Sequence, residues 1–142
     1  MPHDHAAGAD PAVLLREHGL RCTDNRERVL AFLRRALRPV SQGDIMAHFP
    51  AGTVNRVSVY RILHRLVAAG LVHRVLSGRR RWLFESSDHC TPEACHSHFT
   101  CRVCQAVSCI EVFPLPAAQP AGYRVERQKV YLEGVCPRCV AR

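Results

Sequence analysis

The chain has 142 residues, with 20 Lys+Arg against 12 Asp+Glu, 9 His and 8 Cys, and a formal net charge of +8. That length holds one ordinary domain or two small ones, and small ones have cores thin enough to need a metal, a partner subunit or both. No apolar stretch approaches the roughly 18 residues of a membrane span and no export signal is visible, so the expected compartment is the cytoplasm, with cysteines as metal thiolates or free thiols.

The charge is unevenly spread. Residues 1–81 carry 14 Arg against 6 acidic residues, whereas residues 82–142 carry 6 basic and 6 acidic ones. A basic module followed by a neutral, cysteine-rich one points to a polyanion-binding unit joined to something else. Arginine supplies nearly all of the positive charge, and its guanidinium fork suits phosphates and base edges.

In chain order, residues 1–10 are small, polar and unpatterned and are expected to be a disordered tail. From Pro11 a short helix is predicted, with Val13, Leu14 and Leu15 as its inward candidates, closed by Gly19. Thr23 looks like the N-cap of a helix over 24–38 whose apolar positions Val29, Leu30, Leu33 and Leu37 recur at helical spacing, with Pro39 ending it. Ser41 and Asp44 form an acidic variant of the capping box ahead of a third helix with Ile45, Met46 and Phe49 inward.

Asn55 is the next cap. In the helix after it Val59, Ile62, Leu63, Leu66 and Val67 fall on one side, leaving Arg56, Tyr60, Arg61, His64 and Arg65 to project elsewhere, with Ser58 near its start. Gly70 stops it. LVHRVL and RRWLFE then alternate as two strands around an SGRR turn. Short helices, the last with an arginine-rich outer face, followed by a basic hairpin, give the order of a winged helix-turn-helix. In that architecture the last helix enters the major groove and Arg79, Arg80 and Arg81 at the hairpin tip lie against phosphate or minor groove.

Composition changes after Ser86, placing a winged-helix domain at 11–85, a hinge at 86–94 and a second domain at 95–142. The second domain is predicted as a small sheet. One strand leads into the pair Cys101/Cys104, another leaves it, and a strand pair within 123–139 leads into Cys136/Cys139. Pro114, Pro116 and Pro120 interrupt the segment between. The overall class is α+β.

Zinc in a closed structural site takes four ligands in a tetrahedron, and two Cys-x2-Cys pairs supply them. A full shell leaves no position for substrate, so this zinc is read as structural. His96 and His98 share one strand face by the two-residue period, and Cys109 on the return strand is expected opposite them. With Cys90, or with His73 or Glu85 from the wing side, they make a second, regulatory zinc site whose ligands come from both domains.

The segments SVYRILHRLVAAGLVHR, CHSHFTCRVC and YLEGVCPRC resemble the ferric uptake regulator family, and within it the zinc uptake regulators more than the iron sensors, from about Gly19 to Cys139. The resemblance implies a homodimeric repressor with a structural zinc on the four knuckle cysteines and a regulatory metal near the hinge, whose metal-loaded form grips palindromic operator DNA. Tyr60 and Arg61 match the family's DNA-reading Tyr-Arg, and His96 and His98 match regulatory ligands. Cys109 stands where Glu is common. Glu85 matches a carboxylate of iron-type sensors, while His73 and Cys90 resemble ligands of zinc-type members. Pro39 replaces a His of iron-type members, and Cys95, Ser97 and Gln128 stand where a third site finds His, Asp and His. The segment 114–120 is shorter than the family's helix there, which bears on dimer strength.

Thiolates at Cys90 and Cys109 favour zinc over Fe(II) or Mn(II). The expectation is a zinc-responsive repressor of metal-uptake genes acting on DNA, with no membrane and no small-molecule substrate. The alternatives are an iron-, manganese- or peroxide-responsive regulator, or a zinc-ribbon interaction module. A zinc hydrolase or deaminase would need an open metal position beside a carboxylate such as Glu85, Glu93 or Glu111, and no His-x-Glu or His-Glu-x-x-His motif frames one.

Overall fold

The first helix, α1 (Pro11–Glu17), starts where Asp10 accepts the Ala12 N–H and proline occupies the first turn, where its missing donor costs nothing. A computed structural model describes residues 8–36, 38–77, 81–88, 97–110, 118–126, 128 and 130–142. It divides into two units, Met1–Ala94 and Cys95–Arg142.

In the first unit, Leu15 is the fully buried residue of α1, whereas Val13 is exposed, so one expected inward position faces solvent. Gly19 follows at φ 71°, the left-handed geometry that lets the chain leave the helix. Helix α2 (Asp24–Arg35) is capped by Thr23, whose oxygen accepts the Arg26 N–H. It ends earlier than the predicted 24–38, with Ala36 already extended at ψ 111°. Pro39 accounts for this in part, because in a continued helix its ring would clash with the carbonyl four residues back, at Arg35, and it has no N–H to bond there. Leu37 lies outside the described residues.

Helix α3 (Gln42–His48) carries the reciprocal capping box. Ser41 Oγ accepts the Asp44 N–H at 3.1 Å and Asp44 accepts the Ser41 N–H at 2.8 Å. Helix α4 (Arg56–Ala68) begins with Asn55 Oδ1 accepting the Ser58 N–H at 2.8 Å, and Gly70 at φ 76° ends it. Val29, Leu30, Leu33, Ile45, Val59, Leu63 and Leu66 fill one core between these helices.

The hairpin is β1 (Val72–Leu76) with β2 (Trp82–Ser86), antiparallel with Val72 opposite Ser86 and Leu76 opposite Trp82. Val72 and Phe84 tie its base to the helical core. Val40 adds an isolated bridge: it exchanges both backbone hydrogen bonds with Phe84, at 2.9 and 2.7 Å. The stretch between α2 and α3 therefore acts as a short third strand.

The second unit is a three-stranded sheet in the order β4-β3-β5, from β3 (Ser97–Cys101), β4 (Val107–Ile110) and β5 (Tyr131–Gly134). β3 pairs antiparallel with β4 and parallel with β5. Only one strand, not the expected pair, occurs among the described residues of 118–134, and Gly122 sits in a turn at φ 81°. Gly134 lies close against Phe99: a Cβ there would meet the ring at 3.2 Å, so the ring would have to give by a few tenths of an ångström. A single turn, α5 (Pro137–Val140), follows. Of the described residues of this unit, only Cys101, Val107 and Cys136 are buried hydrophobics.

Candidate metal centres and nucleic-acid interface

Parallel pairing explains how Cys104 and Cys136, 32 residues apart, meet. With Cys101 opposite Gly134, the C-terminal ends of β3 and β5 lie at the same end of the sheet, and each runs into its own Cys-x2-Cys turn. The first turn is closed by the Gln105 N–H donating to the Cys101 carbonyl at 2.9 Å, with Gln105 at φ 62°. The four ligand sulfurs of Cys101, Cys104, Cys136 and Cys139 all lie within 4.8 Å of one another, and Cys104 and Cys136 are 3.7 Å apart. A tetrahedron of thiolates around an ion with bonds of about 2.3 Å has edges of about 3.8 Å. The donor set and spacing therefore fit a metal ion.

The backbone prepares these sulfurs unequally. N–H groups of Cys104 and Cys136 hold the Cys101 thiol down to about 6, the latter donating at 3.3 Å. The Cys139 N–H likewise lowers Cys136. Burial, reinforced by neighbouring sulfurs, pushes Cys139 up to about 12. Without a cation the cluster resists carrying its full negative charge, and a bound ion would supply what is missing.

Among the described residues each unit also holds a cross-strand donor pair. In the wing, His73 lies opposite Glu85, both buried, with Nε2 3.4 Å from the carboxylate oxygen. In the sheet, buried His98 lies opposite half-buried Cys109. His96 and Cys90 lie outside the described residues.

Helix α4 separates its faces sharply. Val59, Ile62, Leu63 and Leu66 are buried, while Arg56, Tyr60, Arg61, His64 and Arg65 are exposed. Tyr60 is 59% exposed and its ring lies beside that of His64. Ser58 is half-buried, with its N–H committed to the cap. Gln42 Nε2 donates to the Arg56 carbonyl at 2.7 Å, clamping the start of α4 to α3. Arg81 is exposed, whereas Arg79 and Arg80 lie outside the described residues. Neither the Gln42 clamp nor the Val40 bridge was predicted, since neither leaves a local pattern.

Among the described residues no helix is long and apolar enough to cross a membrane. A model of the ferric uptake regulator family matches residues 17–131. Ferric uptake regulation protein 2 of Mycolicibacterium fortuitum is 30% identical over 142 residues, covering 92% of this chain and 93% of that protein. The ferric uptake regulation protein of Neisseria gonorrhoeae is 26% identical over 138 residues, 90% of this chain and 92% of its own length. Of solved structures, holo XcZur is 26% identical with a TM-score of 0.62, covering 92% of this chain and 94% of that one. The Pseudomonas aeruginosa ferric uptake regulator with manganese is 27% identical with a TM-score of 0.60, covering 87% and 95%. These relatives are regulators rather than enzymes, which agrees with a cysteine shell that leaves no position for a substrate. The chain belongs to the ferric uptake regulator family of metal-dependent DNA-binding regulators.

Proposed function

We propose that this protein is a homodimeric transcriptional repressor that binds palindromic operator DNA when metal-loaded. The carrying observation is α4, which packs four residues into the core while presenting Tyr60, Arg61, His64 and Arg65 to solvent. Arg61 and Tyr60 would read base edges, and Arg56, Arg65, Arg79, Arg80 and Arg81 would position the protein on phosphates. In the four-cysteine centre the proposed ion is zinc, which suits a closed all-thiolate tetrahedron and fixes the sheet without taking part in sensing.

The regulatory ion is proposed to draw on His96, His98, Cys109 and Cys90, with His73 or Glu85 as further ligands, so that its binding biases the conformation competent for DNA. Its identity has two readings. The His73–Glu85 pair offers nitrogen and oxygen, and the curated relatives above are ferric uptake regulation proteins, which supports an iron- or manganese-type sensor. The thiolate of Cys109 opposite His98 supports zinc. The comparisons weigh toward the first reading and the sulfur chemistry toward the second.

One titration separates them. A fluorescein-labelled duplex, selected by the metal-loaded protein from a random 30-base-pair library, is titrated at fixed salt with free Zn(II), Mn(II) or Fe(II) buffered after the cysteine centre is filled. The expected coupling is about 1–3 kcal/mol, or 5- to 150-fold in affinity. Zinc acting at the lowest free concentration, with the effect lost in Cys109→Ser, supports the zinc sensor. Mn(II) or Fe(II) acting in wild type and in Cys109→Ser, but not in Glu85→Ala, supports the other. Affinity indifferent to all three ions overturns the metal-gated reading.

A further inference from the structure

Arg34 of α2 holds two other parts of the first unit at once. Its Nε donates to the Asp88 carboxylate, two residues beyond the end of β2, and its Nη1 donates to the Ala9 carbonyl, two residues ahead of α1. The side chain is 16% exposed, and the helix that carries it is fixed by Leu30 and Leu33, both buried in the core. One planar fork on an immobile helix therefore joins the places where the chain enters and leaves the packed part of this unit.

The exit is held residue by residue. Ser86, 1% exposed, pairs with Val72 in the hairpin. The Ser87 N–H donates to the Leu71 carbonyl at 3.0 Å, and the Asp88 N–H to Ser86 Oγ at 3.3 Å. The Arg34–Asp88 pair then closes a separation of 54 residues. Stability is not what this last tie adds, because an ion pair with one partner as exposed as Asp88, at 44%, contributes only about 0–1 kcal/mol. What it fixes is the point and direction at which the chain departs.

We propose that Arg34 is a positioning residue of the metal switch: by holding Asp88 it makes the chain leave the first unit in one direction, so that a metal-induced change beyond that point is passed to α4 and the wing instead of being absorbed as slack. The inference rests on the metal-gated reading above. Eight residues, 89–96, separate Asp88 from the start of β3. Were the latch only a matter of length, losing it would add residues 87 and 88 to that connection. Effective concentration falls as roughly the −3/2 power of length, so going from eight residues to ten would weaken coupling by only about 1.4-fold. Control of direction predicts a larger loss.

The test uses the full chain with its cysteine centre filled, the selected duplex, and whichever of Zn(II), Mn(II) or Fe(II) tightens wild-type binding at the lowest free concentration. The readout is the ratio of DNA affinities with and without that ion. Arg34→Ala is expected to reduce the ratio by about threefold or more while leaving the metal-free affinity within about twofold of wild type. Hydrogen exchange at the Ser87 and Asp88 amides should speed up, with 56–68 unchanged. Asp88→Ala, at an exposed position, is expected to do the same, and it decides the question should Arg34→Ala lower the urea midpoint. Exchanging the charges, Arg34→Asp with Asp88→Arg, is expected to restore most of the lost ratio, which loss of packing at either position alone would not allow. A ratio reduced by less than about threefold in both single variants overturns the positioning role and leaves the metal-gated reading intact. Equal loss of affinity with and without the ion does the same. Wild-type affinity that responds to none of the three ions overturns both.

Discussion

Stripping metal from the four-cysteine centre is expected to unfold the second unit and leave the first folded. The second unit has Cys101, Val107 and Cys136 as its buried hydrophobics among the described residues, and two of the three are proposed ligands. Val107 alone contributes about 1.5–3 kcal/mol of burial, while each strand residue costs about 1–2 kcal/mol to order. The three strands contain 13 residues, so the apolar contribution falls far short of the ordering cost. A structural zinc supplies about 10–16 kcal/mol, equal to or larger than the whole stability of an ordinary domain. The first unit has Leu15, Val29, Leu30, Leu33, Ile45, Leu63 and Leu66 in one core and no need of a metal. The assay is amide hydrogen exchange on the full chain before and after a strong chelator. Amides of 97–101, 107–110 and 131–134 should lose protection, and those of 24–35 and 56–68 should keep it. Protection persisting in β3 and β5 after complete removal of metal would refute the reasoning.

Four further outcomes follow from individual contacts. Leu63→Ala, at a fully buried core position, should cost about 2–5 kcal/mol in urea denaturation of the first unit. Asn55→Ala removes the cap of α4 and should cost about 1 kcal/mol of stability in urea denaturation of the first unit. Arg61→Ala should leave the far-UV spectrum unchanged and cost about 1–3 kcal/mol of binding on the selected duplex. The last concerns pH. Burial alone would raise the Asp44 carboxyl, but hydrogen bonds from Ser41 overcome it, and with Arg38 and Arg81 they hold it below the usual carboxylate value. A depressed acid stabilises the fold above its unfolded value, about 4, and that contribution is lost as pH falls through the lower folded value. The stability gap between wild type and Ser41→Ala should therefore be full at pH 6 and shrink below pH ~4.

The helix starts were legible because caps are local. Thr23, Ser41 and Asn55 each accept a backbone N–H three residues on, so the motif sits inside a four-residue window. The four-cysteine centre was legible for a related reason: two short local motifs carry the ligands, and only their meeting needs the fold. What escaped depends on partners remote in sequence. The early end of α2 and the bridge of Val40 to Phe84 belong to one event, in which the chain leaves a helix to join a strand 44 residues away. The register that sets His73 opposite Glu85 was equally hidden, since it depends on how the hairpin turns. Helical spacing alone gave Val13 to the core, but a two-turn helix has room for little more than Leu15 on its buried side.

These differences bear on which metal can act as a switch. A sensor must release its ion without losing its fold, and the four-cysteine centre cannot do so, because its sheet has little else to hold it. His73 and Glu85 stand on a hairpin whose base, Val72 and Phe84, is packed into a core that forms without metal. His98 and Cys109 stand opposite each other on strands that an ion in the four-cysteine centre would fix. On the proposed reading both donor pairs would lose an ion and remain in place to take up the next. Removal of metal in two stages is the expected consequence. A weak chelator should abolish DNA binding with far-UV circular dichroism unchanged, and only a strong chelator should then unfold the sheet. Loss of binding and of the sheet together, at one chelator strength, would place sensing and scaffolding in the same four sulfurs.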